Sequence, residues 1–275
     1  MKELPIYKLR PFEGHPFKVT DNEEMAQLEE SILAQGLLTP LVVRPLENGT
    51  YEVISGHRRL YACKKAGIET VPALVVDMDR DAAAIALVDS NLHREHILPS
   101  EKAFAYKLKR DALSHQGKTS HQVGEKLPTA AKIGKDGGDS MNQVLRYIRL
   151  TNLIPGILDM VDEGRIALTP AVELSYLGEW EQRDLLETME SEDCTPSLSQ
   201  AMLLKATSQA GQLTMDKIFT IMTQPKPNQQ EKISFKVSEI RDYFPRGYTA
   251  SQMTRDILKG LELLKQQRQR NRDAR

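Results

Sequence analysis

Between residues 41 and 67 the chain spells out a strand, a tight turn, a second strand and a helix with almost nothing between them. Leu41-Val42-Val43 is a short apolar run, and Tyr51-Glu52-Val53-Ile54 alternates as a returning strand. Asn48-Gly49 joins them, and both residues tolerate the positive φ that a two-residue hairpin demands. Gly56 then opens a helix running to about Ala66, with Gly67 as its stop. A hairpin that hands over to a helix at a glycine predicts a small α/β unit. The junction is also chemically loaded. Gly56-His57-Arg58-Arg59 offers an anion free backbone N–H groups, the positive end of a helix dipole and two forked guanidinium groups. It is a candidate phosphate cradle.

The same unit extends to both sides. Thr20 and Glu23 have capping-box spacing, Met25, Leu28, Ile32 and Leu33 follow at helical steps, and Gly36 can end that helix in a left-handed conformation. A strand is expected over Val71–Val76 and a helix from Arg80 to about Leu92. We therefore place an α/β domain at residues 1–96. At 275 residues the chain fits two or three domains. No apolar run approaches the ~20 residues of a membrane span, and the start lacks the apolar centre of a signal peptide. Cys63 and Cys194 have no metal spacing and read as reduced cytosolic thiols.

Charge is patterned although the total is −1. Residues 1–100 carry net −4, 101–150 net +5, 151–200 net −9 and 201–275 net +7. The first basic stretch coincides with an expected all-α unit at 97–205. Pro99 and Ser100 open a helix, and Ala130 to Gly134 end another. Lys135-Asp136-Gly137-Gly138 is then expected as a polar turn, and Ser140 as the N-cap of a helix from Met141 to Leu150. Val144, Leu145 and Ile148 are expected in the core. Asn142, Gln143, Arg146 and Arg149 face the other way, where Asn and Gln can pair with adenine and Arg with guanine. With Lys135 and Ser140 they form the candidate DNA-contacting set; an ordinary solvated polar face is the alternative. Residues 206–230 read as a linker, with Gln224 to Gln230 polar and Pro-containing. In 231–275, Ile233, Phe235 and Val237 alternate as a strand. Met253, Ile257, Leu261 and Leu264 stripe a helix over Ser251–Gln267. Such a strand–helix element is too small to bury its own apolar face and should dock on a second copy, giving a homodimer, or else on the body of the same chain.

Three segments, in order, resemble the ParB/Noc partition proteins: Ser31 to Pro40, Gly56 to Arg59, and Ser90-Asn91-Leu92-His93-Arg94. The likeness continues through Leu98 to Ala103 and covers nearly all of residues 6–180. It implies an α+β multidomain protein with a ParB/sulfiredoxin-like N-terminal domain and a helix-turn-helix middle domain. It implies CTP and Mg²⁺ as ligands, with Gly36 in the loop beside the base, Gly56, His57, Arg58 and Arg59 on the triphosphate, and Asn91 and Arg94 on phosphate and metal. It further implies a cytoplasmic, nucleoid- or plasmid-associated clamp on a palindromic, centromere-like site in double-stranded DNA, on a chromosome, plasmid or mobile element, with a ParA-type ATPase as partner and no membrane. The short basic peptide that stimulates such an ATPase is not visible before Ile6.

Two departures bear on turnover: His57 and Ser90 stand where the family has Glu. A third, Thr169-Pro170-Ala171 where the family has Gly-His-Ala, bears on a DNA contact instead. Neither His nor Ser supplies a carboxylate at neutral pH, so at most a slow CTPase is expected, with Glu95 nearby in sequence. By its place in the family pattern, Arg149 is a structural or phosphate contact rather than a base reader. Two alternatives stay open: a transcription regulator of the same fold without nucleotide gating, and, disfavoured, a sulfiredoxin-like or nuclease enzyme. Gly56 stands where sulfiredoxin has its Cys, and no acidic metal cluster suits a nuclease.

Overall fold

Strands Leu41–Pro45 and Tyr51–Ser55 pair antiparallel, and Gly49 at the turn has φ +73°. Asn48 Oδ1 accepts from the Thr50 N–H and hydroxyl, which closes the loop. In this computed structural model, which describes residues 1–94, 96–116, 129–224, 240–245 and 247–273, the hairpin is the middle of a five-stranded sheet. Numbered along the chain, the strands are β1 (Lys2–Pro5), β2 (Leu9–Pro11), β3 (Leu41–Pro45), β4 (Tyr51–Ser55) and β5 (Thr70–Val75), in the order β1-β5-β3-β4-β2. β1–β5 is antiparallel, while β3–β5 and β2–β4 are parallel. β1 and β2 have no counterpart in the sequence reading. Each is an edge strand ending in a proline, which a sheet tolerates only where a ladder N–H can be spared. Leu4 and Leu9 are nevertheless buried.

Helices α1 (Glu23–Gln35) and α2 (His57–Lys65) pack on one another and share a core with the sheet, built on Met25, Ile32, Leu41, Val43, Val53, Leu60 and Val71. The N-cap of α1 is Asn22, not Thr20. Its Oδ1 accepts from the Met25 N–H at 3.1 Å, and the helix begins one residue later, too far along for a Thr20 cap. α3 (Arg80–Asn91) packs against β4 and against α4 (Pro99–Gln116).

α5 (Thr129–Gly137) and α6 (Met141–Leu150) lie against α4. Lys135, Asp136 and Gly137 belong to the last turn of α5 rather than to a loop. Gly138, at φ +73°, makes the turn, and the Asp139 N–H closes it on the Gly134 carbonyl at 2.9 Å. A side chain at residue 134 would run into the Asp139 carbonyl, so the sharp turn requires glycine there. A second core joins Ile54, Ala84 and Leu87 to Ala105 and Tyr106 of α4, Ile133 of α5, and Val144 and Ile148 of α6. Residue 96 therefore does not divide two cores. Leu145, expected inside, is 46 % exposed because α6 turns it away from α4.

α7 (Pro155–Asp162), α8 (Leu168–Leu174), α9 (Glu179–Ser191), α10 (Leu198–Gln209) and α11 (Met215–Thr223) enclose a third core. Lys205, where a domain end was expected, lies inside α10. The first compact unit runs from Met1 to Gln224. There the buried Gln200 amide donates to the Ile221 and Met222 carbonyls at the end of α11. The second unit, Pro225–Arg275, contains α12 (Ala250–Asp273), on which Leu258, Leu261 and Leu264 are exposed. The expected strand at 233–237 lies outside the described residues.

Candidate functional site

A cavity of about 460 Å³ opens where the sheet meets α2 and the end of α3. Gly56, His57, Arg58, Arg59, Asn91 and Arg94 all line it, so the fold brings together the second and third sequence boxes. Gly36 does not. It is the C-cap of α1, at φ +73°, its N–H bonded to the Ile32 carbonyl at 2.8 Å. Sequence reasoning missed a third wall: His15, Phe17, Lys18 and Val19 from the loop before α1, and Glu24 from its first turn.

Gly56 sits at φ +103° between β4 and α2. A Cβ there would lie 2.5 Å from Leu41 Cδ2 and 3.1 Å from an Arg59 nitrogen. Conformation and space both exclude a side chain, and no side chain caps the first N–H groups of α2. Arg58 reaches Glu24 at 3.0 Å, an ion pair at the rim. Arg59 donates to the Thr39 and Pro40 carbonyls at 2.5 and 3.0 Å, so it holds the loop before β3 while its guanidinium stays on the cavity wall. Arg94 lies over the Phe17 ring, 5.6 Å from its centroid. Loss of solvent is the main effect lowering its pKa, opposed by the Glu101 carboxylate and reinforced by Arg58. Asn91 donates its amide N–H to the Leu87 carbonyl at 2.8 Å and to Ser90 Oγ at 3.2 Å, which leaves Oδ1 as its acceptor. Cations outnumber the carboxylate of Glu24 on these walls, and an anion is what such a site takes.

His57 is fixed rather than reactive. Its Nε2 accepts from the Phe12 N–H at 3.3 Å, and a backbone bond to Val53 engages it from the strand. Its ring lies against that of His15, with centroids 3.7 Å apart. Burial first, then His15 and Arg94, push its pKa down to about 3 against the Val53 bond. A neutral imidazole thus replaces a carboxylate here, and it anchors the loop that carries His15, Phe17 and Lys18. His15 is itself pushed down by burial, with its bond to the Phe17 carbonyl opposing and Arg94 reinforcing.

That loop is also held from the helical side. The Lys18 N–H donates to Glu101 Oε1 at 2.7 Å, and the Leu98 N–H to Glu101 Oε2 at 3.1 Å. Lys18 Nζ reaches Asp162 of α7 at 3.3 Å and Asp159 at 3.6 Å.

The second candidate surface is α6. Ser140 Oγ accepts from the Gln143 N–H, as an N-cap should. Asn142 is exposed, Gln143 and Arg146 half-buried, and Lys135 exposed at the end of α5. Arg146 donates to Thr169 Oγ1 at 2.6 Å, which ties it to α8. Arg149 donates to Ser175 Oγ and O and lies 3.8 Å from the Tyr176 ring centroid. Asp139, just before the cap, is held by Lys102 and the Tyr106 hydroxyl of α4, each at 2.6 Å. Burial first, then Asp139, raise the Tyr106 pKa, so the phenol remains a donor. Glu95 lies outside the described residues.

A family model described as the ParB N-terminal domain matches residues 1–92. The chromosome-partitioning protein Spo0J of Thermus thermophilus is 36 % identical over 189 residues, covering 67 % of this chain and 64 % of that protein. The probable chromosome-partitioning protein ParB of Vibrio cholerae is 29 % identical over 265 residues, covering 96 % and 85 %. The chain thus spans under two thirds of the Thermus protein's own length. Among solved structures, C-terminally truncated ParB from Caulobacter crescentus complexed to the centromeric parS site is 22 % identical with a TM-score of 0.43, covering 75 % of this chain and all of that one. The truncated Caulobacter protein complexed with CTP-γ-S is 25 % identical with a TM-score of 0.32, covering 69 % and 98 %.

Proposed function

Because this chain belongs to the ParB/Noc-like partition proteins, we propose that it binds a specific DNA site through α5 and α6 and that CTP in the α/β cavity gates its grip. The observation that carries this reading is the convergence of Gly56, Arg58, Asn91 and Arg94 from separate segments on one cation-rich cavity.

The residues fit a nucleoside triphosphate. The uncapped N–H groups of α2 with Arg58 and Arg94 suit a phosphate chain, and Phe17, Val19 and Leu28 supply apolar wall. For Mg²⁺ the fit is partial. Among the described residues no three His, Cys, Asp or Glu side chains gather as a metal site. The ion would draw on phosphate oxygens, water and Asn91 Oδ1, as Mg²⁺ commonly does, and would offset the phosphate charge. His57 is locked neutral and Ser90 donates to the Leu87 carbonyl, so neither activates water. This favours a slow CTPase that resets by losing nucleotide.

α5 and α6 act as a helix-turn-helix, with Asn142, Gln143 and Arg146 at base edges, Lys135 and Ser140 beside phosphate, and Arg149 bracing α6. The exposed leucines of α12 serve a homodimer, which matches a palindromic site. Association with nucleoid or plasmid follows from DNA binding, and a ParA-type ATPase is the partner of this reading.

Calorimetry tests it. CTP with Mg²⁺ should bind the wild type, and Arg58→Ala should abolish the signal while leaving the fold intact. A wild-type protein that binds no nucleoside triphosphate would leave a DNA-binding regulator without a nucleotide gate.

A further inference from the structure

Lys18 has its main chain and its side chain committed to different parts of the molecule. Its N–H is pinned to Glu101 of α4, and its side chain lines the cavity. Its ammonium, however, ends on Asp162 and Asp159 of α7. The Lys18 side chain is 52 % exposed and that of Asp159 62 %, and pairs so wetted hold weakly. Asp162 does not depend on Lys18. Its two oxygens already accept from the Ser100 N–H at 2.9 Å and the Ser100 hydroxyl at 2.5 Å. Release of Lys18 therefore leaves the Asp162 carboxylate, 8 % exposed, still held by two hydrogen-bond donors. A phosphate chain among Arg58 and Arg94 offers the ammonium a stronger, charge-assisted partner, and only the flexible stem has to turn, because Glu101 keeps the backbone in place.

We propose that Lys18 is a strap with two positions: tied to the α7 carboxylates as seen here, and turned onto the phosphate chain when a nucleoside triphosphate is bound, so that binding unties the cavity loop from α7. This rests on the nucleotide reading of the cavity and adds to it a residue and a direction of coupling. The carboxylates of α7 and the bound phosphates compete for one ammonium. Weakening either side must therefore move nucleotide affinity in opposite senses.

The experiment compares wild type, Asp159→Asn and Lys18→Met by calorimetry with CTP and Mg²⁺, and with inorganic tripolyphosphate. Asp159→Asn should tighten binding of both ligands, roughly twofold to fivefold, the worth of an exposed pair. Lys18→Met should weaken both, roughly tenfold, as loss of a charge-assisted contact does. Amide hydrogen exchange across α7 should quicken on saturation with CTP in the wild type and not in Lys18→Met. Unchanged or weaker binding by Asp159→Asn, or unchanged binding by Lys18→Met, overturns the strap while the wild-type signal keeps the nucleotide reading. Absence of binding by the wild type overturns both.

Discussion

The cavity and the α6 surface are built in opposite ways. The cavity draws its side chains from residues 15–28, 55–59 and 90–94, and tertiary contacts place each of them. Its cations already have partners in the chain: Arg58 has Glu24, Arg59 two carbonyls, and Lys18 the carboxylates of α7. The α6 surface comes from ten consecutive residues of one capped helix. Asn142 is exposed there, and Arg146 donates to Thr169. Binding chemistry in the cavity is thus a property of the fold, whereas at α6 it is a property of the local sequence. A change in backbone freedom should wreck the first, and a change of side chain should retune the second.

Gly56→Ala gives the sharpest test of that contrast. A left-handed alanine pressed against Leu41 should lower stability by roughly 2–5 kcal/mol in urea denaturation and remove CTP binding. Stability close to wild type would mean that Leu41 yields and that the cavity is softer than its geometry. On the other side, Arg146→Ala should cost about 1–3 kcal/mol on cognate DNA in a filter or fluorescence titration, with little loss of stability and a much smaller loss on random DNA. Equal losses on both DNAs would make Arg146 a phosphate contact and erase the distinction. The smallest effect is proton-linked. Folded His57 stays neutral down to about pH 3, while an unfolded histidine takes up its proton near 6.5. The unfolded chain binds more protons between these values, so stability falls as pH drops through 6.5 towards 3. Between pH 7 and 5.5 this amounts to roughly 1 kcal/mol. His57→Gln should flatten that slope in denaturation at the two pH values, and an unaltered slope would place the titration elsewhere.

Legibility followed the same divide. The hairpin, α2, α3 and α6 could be read because turn glycines, caps and period are local signals, and Gly56 to Arg59 are contiguous. Asn91 and Arg94 entered only through resemblance, which no spacing rule supplies. His15, Phe17, Lys18 and Glu24 carried no signal. Their loop is set by His57 and Glu101, which bond to its backbone from 45 and 83 residues away. Leu145 was misplaced because α6 is covered on one narrow face, and a period of 3.6 does not say how wide the covered stripe is. Gly36 was read as part of the site although its conformation serves the helix end. β1 and β2 were missed because three or four residues ending in proline look like loop.

Lys109 sets a limit on transplanting DNA specificity between proteins. It is almost wholly buried in α4, bonded to Asp89 of α3 and, at 2.7 Å, to Asp136 of α5. A graft that replaces α5 and α6 alone would keep this ammonium and discard one of its two counter-charges. If the turn between them went too, the graft would also discard Asp139, which answers Lys102 and Tyr106. Asp89 would remain as the Lys109 ammonium's counter-charge, and both carboxylates are nearly half exposed, so the loss would stay below the roughly 3–5 kcal/mol of a buried pair broken outright. The smallest exchangeable cassette therefore starts at Pro99 and includes α4, or else the incoming helices must bring an acid to each of the two positions.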